Sequence, residues 1–97
     1  MNTNQADQVL DLSPQAMRRA FDLIQQKMLN GSICTSMNVR DNSIEWHFDD
    51  GSFVEIEVLR DFNDNMNPVA VVVTEWIDEP TIDSFYTIAS QEKFEVK

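Results

Sequence analysis

Ile44-Glu-Trp-His-Phe48-Asp-Asp50-Gly-Ser-Phe53-Val-Glu-Ile-Glu-Val58 is the stretch that decides the fold. Apolar Ile44, Trp46 and Phe48 alternate with polar Glu45, His47 and Asp49. After the break, Val54, Ile56 and Val58 alternate with Phe53, Glu55 and Glu57. A period of two on both sides of a glycine turn predicts an antiparallel hairpin. Its register follows from the faces. A two-residue Asp50-Gly51 turn sets Trp46 against Glu55 and mixes apolar with polar. A three-residue loop over Asp49, Asp50 and Gly51, with Gly51 left-handed, sets Trp46 against Val54 and Ile44 against Ile56. The second register keeps one face apolar and is the one predicted. It also sets Glu45 directly opposite Glu55.

Working outward toward the N-terminus, Ile33, Thr35, Met37 and Val39 alternate and predict a further strand ending near Arg40–Ser43. Before it, Ser13-Pro14 reads as an N-cap followed by proline in the first turn, and Asn30-Gly31 as a stop. Between them Met17, Ala20, Phe21, Ile24 and Met28 form an apolar stripe, so a helix is predicted over 14–29 with Phe21 and Ile24 in the core. Residues 1–12 read as a flexible polar tail and 13–97 as one domain.

Toward the C-terminus, residues 60–68 read as a loop, and the β-branched run from Val69 to Ile77 as the most buried strand. The stretch 81–90 has two readings. Thr81 can cap a short helix bearing Ile82, Phe85 and Ile88, or Phe85, Thr87 and Ala89 can alternate along a strand; the Pro80-Thr81 start favours the helix. The fold class is therefore α+β: an N-terminal helix packed on a small antiparallel β-sheet of about four strands, with a short C-terminal helix.

The 97 residues carry 17 Asp+Glu against 7 Lys+Arg, a net charge of −10. Residues 14–40 are net +3, whereas 41–83 hold twelve acids and one base. Such a field repels phosphate, so neither nucleic acid nor an anionic membrane is an expected direct partner. The lone Cys34 supports no internal disulfide, the polar N-terminus lacks the pattern of a signal peptide, and the longest apolar run is Val69–Val73. These features predict a cytoplasmic protein.

Chemistry-bearing motifs are sparse. Glu45-x-His47-x-Asp49 has zinc-type ligands at strand spacing, a pattern that any exposed strand with alternating polar residues produces. Asp61-x-Asn63-x-Asn65 begins like a calcium loop, but Met66 stands where glycine is needed and Val72 where the bidentate glutamate belongs. With one histidine, one cysteine and two glycines, no nucleophile–base pair or phosphate loop stands out. No catalytic residue, metal site or cofactor is expected.

What stands out is the acidic region. Glu45, Asp49, Asp50, Glu55 and Glu57 on one hairpin face or its tip, with Asp61 and Asp64 in the following loop, predict an interaction surface for a basic protein. Phe53 and Phe62 are its candidate apolar anchors. The plainer reading is that the acidity only confers solubility. Three roles fit the charge and size. The foremost is a non-enzymatic inhibitor that occupies a nucleic-acid-binding site as a DNA mimic, in the manner of phage-type anti-CRISPR or anti-restriction proteins. The others are an immunity-type cap on a cationic nuclease or toxin, and a housekeeping dimerisation or chaperone-like module.

Overall fold

The computed structural model describes residues 13–96, and the polar stretch 1–12 lies outside the described residues. One helix, α1 (Pro14–Leu29), precedes five strands: β1 (Cys34–Val39), β2 (Ser43–Phe48), β3 (Phe53–Asp61), β4 (Asn67–Ile77) and β5 (Thr87–Glu95). The strands form a single antiparallel sheet in the order β1-β2-β3-β4-β5. The fold is α+β, with α1 packed on one face of the sheet.

Helix α1 has the predicted bounds because both ends are capped. Ser13, in an extended conformation, accepts a hydrogen bond from the Ala16 amide through its side chain. At the other end Gly31 adopts φ +98°, the Gly31 amide donates to the Met28 carbonyl and the Ser32 amide to that of Lys27. This pair of bonds closes the helix with a Schellman motif.

The hairpin register is the one predicted: Ile44 faces Ile56, Trp46 faces Val54 and Glu45 faces Glu55. Gly51 takes φ +87° at the tip, and a Cβ there would lie 2.7 Å from Asp78 Oδ2. The left-handed backbone strains any larger residue here, and its Cβ would push the Asp78 side chain aside. Asn65 and Met66 also have positive φ in the tight β3–β4 turn, which shortens the expected 60–68 loop to a few residues.

The core lies between α1 and the inner sheet face. Ala16, Met17, Ala20 and Leu23 pack on Ile44, Phe48, Val54, Ile56, Val58, Val71 and Val73, with Ile24, Trp46 and Phe94 partly buried against them. Two expectations are corrected here. Phe21 is not in the core; it is 51% exposed and touches the edge of Trp46, with ring centroids 6.1 Å apart. The helix approaches the sheet through its small residues Ala16 and Ala20, and at about 100° per residue Phe21 is turned to the flank. Residues 81–90 form no helix. Bends over 82–86 lead into β5, a fifth strand, held by β4 from Ile77–Thr87 to Ala70–Glu95. A Thr81 cap exists, since the Thr81 hydroxyl accepts from the Asp83 and Ser84 amides, but it closes a turn.

The packing predicts opposite outcomes for two truncations. Ile56→Ala empties a fully buried position on the central strand and should cost about 2–5 kcal/mol in chemical denaturation. Phe21→Ala should cost only about 1 kcal/mol, the order of one exposed aromatic contact. Equal losses would place Phe21 back in the core.

Candidate functional site

Alternation along β2, β3 and β4 sends one set of side chains away from α1. On this outer face Glu45 and His47 of β2 stand beside Glu55 and Phe53 of β3, which stand beside Thr74 and Trp76 of β4. The rings form a row across three strands. His47 stacks on Phe53 with centroids 4.7 Å apart and planes 17° apart; Phe53 in turn is nearly parallel to Trp76 at 5.9 Å. Tyr86 meets Phe53 edge-on at 5.1 Å. Offset and edge-to-face contacts of this kind add to simple burial.

The carboxylates of this face are attached to the row. His47 Nε2 lies 2.9 Å from Glu45 Oε1, and Arg40 Nε lies 3.6 Å from Glu45 Oε2. Trp76 Nε1 donates to Glu55 Oε1 at 3.1 Å. Glu57 is exposed on the same strand as Glu55. Burial pushes the Glu55 carboxyl above its usual range; Trp76 opposes this by donating to the charged form, while Glu57 and Glu45 add like-charge repulsion.

Asp49 does not join this face, contrary to expectation, and Asp50 sits at the hairpin tip, as expected. The Asp49 carboxylate accepts from the Ile33 amide, and the Asp49 amide donates to the Ile33 carbonyl, tying the hairpin tip to the chain entering β1. Asp50 turns toward the helix side. It accepts from both the amide and the hydroxyl of Ser52 and from the Ser32 hydroxyl, and lies 3.7 Å from Lys27 Nζ. The two bonds from Ser52 hold its carboxyl below the usual range against the cost of burial, with lesser help from Lys27 and Ser32. Lys27 also reaches Glu75 at 3.4 Å and sits 5.9 Å above the Phe48 ring. Its side chain is only 12% exposed, so this three-residue bridge closes the end of the core between the last turn of α1 and the sheet.

The trio Glu45, His47 and Asp49 is therefore not a ligand set: two of its members pair with each other and the third is turned aside. Among the described residues no group of three or more His, Cys, Asp or Glu is placed to hold a metal ion. Asp61 forms an Asx turn in which its carboxylate accepts from the Asn63 amide. Phe62 is 83% exposed and Asp64 is exposed beside it. This turn is at the far end of β3 from Phe53, about 26 Å along a strand rising ~3.3 Å per residue, so it is a separate feature from the aromatic row.

Sequence reasoning placed Glu45, Glu55, Glu57 and Phe53 on the outer face but did not bring Trp76 and Tyr86 to it. Thr74 and Trp76 share a parity, and a register extended from β3 would have put Trp76 opposite Phe53. Tyr86 had no such signal, because it precedes β5. The Lys27–Asp50–Glu75 bridge was also missed, since its members are brought together only by the helix crossing the sheet. No protein-family profile, curated protein or solved structure matches this chain.

The two carboxylates should answer to pH in opposite senses. Asp50, depressed in the folded state, contributes stability that is present above the ordinary carboxylate range and lost as pH falls through its folded value. Glu55, raised in the folded state, does the reverse: stability falls as pH climbs from about 4 through its folded value, because ionisation is harder in the fold. Glu55→Gln, which keeps an acceptor for Trp76, should thus raise the melting temperature at pH 7 and match the parent below about pH 4. Asp50→Asn should lower it at pH 7, with the gap closing as pH falls through the depressed folded value of Asp50. Melting curves between these limits check both signs.

Proposed function

We propose that this chain is a small, non-enzymatic binding protein that sets its outer sheet face against a basic, nucleic-acid-binding protein and so occupies the site offered to phosphate backbones. The observation that carries the reading is Glu55, a half-buried carboxylate with raised proton affinity between two further glutamates. Directly opposed strand positions lie about 5 Å apart and alternate positions along a strand about 6.7 Å, so Glu45, Glu55 and Glu57 make a dense like-charge row. Folding gains nothing from that repulsion, whereas an arriving cation relieves it.

The aromatic row changes the expected picture of an evenly charged mimic. Half-buried rings bordered by carboxylates have the build of a protein-binding centre, in which apolar contact supplies affinity and the charged border supplies approach rate and selectivity. Asp49 and Asp50 contribute to the net field but are engaged in holding the tip. Asp61, Phe62 and Asp64 form a second exposed feature that a partner longer than the aromatic row would reach.

An oligoarginine peptide is a suitable probe, measured by fluorescence anisotropy with and without competing duplex DNA. Glu57→Lys, on the face, should weaken binding about tenfold more than Glu79→Lys, an equal charge change on an exposed loop away from it. The protein should also release the peptide from DNA. Equal losses for the two variants would reduce the acidity to a general field and overturn the face as the site.

A further inference from the structure

Glu45 and Glu55 stand directly opposite each other on the outer face but are engaged differently. Glu45 is taken up within the chain, with His47 Nε2 2.9 Å from Oε1 and Arg40 Nε 3.6 Å from Oε2. Glu55 accepts instead from a neutral donor, the Trp76 indole, at 3.1 Å. A carboxylate offers about four acceptor positions, and the indole fills one of them. The setting of Glu55 is also partly dry. Phe53 and Trp76 border it, and Thr74, its partner on β4, is only 2% exposed, with its hydroxyl accepting from Gln91.

A cation drawn to Glu55 must therefore shed part of its water, and the two basic side chains differ in what that costs. An ammonium is compact and strongly hydrated. A guanidinium is flat and weakly hydrated, and its paired N–H donors match the two oxygens of a carboxylate. Its plane also packs well on aromatic surface, which the rings beside Glu55 supply. Arg40 shows that a guanidinium is accommodated at this face: it reaches Glu45 from the β1–β2 turn, next to the stack of His47 on Phe53.

We propose that the outer face selects arginine over lysine: an arginine of the partner protein forks onto Glu55 against the Trp76 and Phe53 rings. Glu57, exposed two residues along the strand, adds to the attraction without closing on the fork. The inference rests on the reading of this face as the surface for a basic protein, and it names the side chain that the face takes. Charge complementarity sets the sign of the occupant, since residues 41–83, which supply β2, β3 and β4, hold twelve acids and one base. The rings and the half-burial set its type. A fully solvated row of carboxylates would attract equal charges about equally, because neither cation would give up its water. A guanidinium on Glu55 also offsets the cost that burial and the neighbouring glutamates impose on its charge.

Oligoarginine and oligolysine peptides of equal length and charge are the probes, titrated against the full chain at about 0.15 M salt. The chain should bind the arginine peptide about tenfold more tightly than the lysine peptide. Glu55→Gln, which keeps an acceptor for Trp76, should bring that ratio close to one. Glu57→Gln removes the same charge and should weaken both peptides while preserving the ratio. NMR on the unmodified chain gives a readout free of any folding defect. The Trp76 indole N–H signal, identified by its loss in Trp76→Phe, should move as the arginine peptide binds, and that of Trp46 on the inner face should stay in place. Equal affinity for the two peptides would overturn the arginine preference and leave the acidic face as a binding surface. A preference that survives Glu55→Gln, or a Trp76 signal that does not respond, would overturn it equally. Binding of neither peptide would overturn both the preference and the face as the site.

Discussion

Pairing of Ile44 with Ile56 and Trp46 with Val54 is the constraint on which the rest of the structure depends. A slip of one residue would carry Val54, Ile56 and Val58 to the outer side and leave α1 facing glutamates. Gly51 holds that register. Its left-handed backbone makes the three-residue turn possible, and the absence of a Cβ lets Asp78, at the end of β4, approach the tip. The same turn presents Asp49 to the chain entering β1 and Asp50 to Lys27 at the end of α1. One tight turn thus fixes which way the sheet faces, where β1 attaches and how the helix is anchored.

The hairpin was legible because two independent local signals agreed, a period of two and a glycine at the only position that keeps both faces consistent. α1 was legible in its bounds for the same reason, with Ser13-Pro14 and Asn30-Gly31 both acting locally. Its orientation was not. Apolar and small residues from Leu23 to Phe21 spread over an arc of about 160° at ~100° per residue, and periodicity alone does not say which part of so wide a stripe points at the sheet. The answer depended on close approach: with Ala16 and Ala20 at the centre, the helix sits low on the sheet and the large Phe21 is displaced to the side. β5 was illegible for a different reason. It is an edge strand with little burial, so selection for alternation is weak and Thr81 supplied a helix-start signal that the turn uses instead.

Electrostatics divides along the same line as the packing. On the helix side Lys27 holds Asp50 and Glu75 at the rim of the core, with Ser52 and Ser32 completing the hydrogen bonds of Asp50, so a charge there is stabilised by the fold. On the outer side Glu55 has one donor, Trp76, and two like-charged neighbours, so a charge there is tolerated at a cost. Sequence composition shows only that both groups are acidic. The difference comes from strand parity and from the tight turn, which together send Asp50 one way and Glu55 the other.

Among the described residues the single helix α1 covers only part of the inner sheet face, lying over β3, β4 and β5. Two apolar regions remain outside the core for distinct reasons. The outer aromatic row exists because Phe53 and Trp76 share a register on paired strands, and its rings shield one another so that carboxylates can border them. The β1 strip, exposed Met37 and Val39, exists because the helix is too narrow to span five strands. The first is polar-rimmed and acidic, whereas the second is uncharged and ends in an open strand. The two surfaces differ in kind because strand parity sends Glu45, Glu55 and Glu57 to the outer side of β2 and β3, whereas β1 carries no charged side chain on either face.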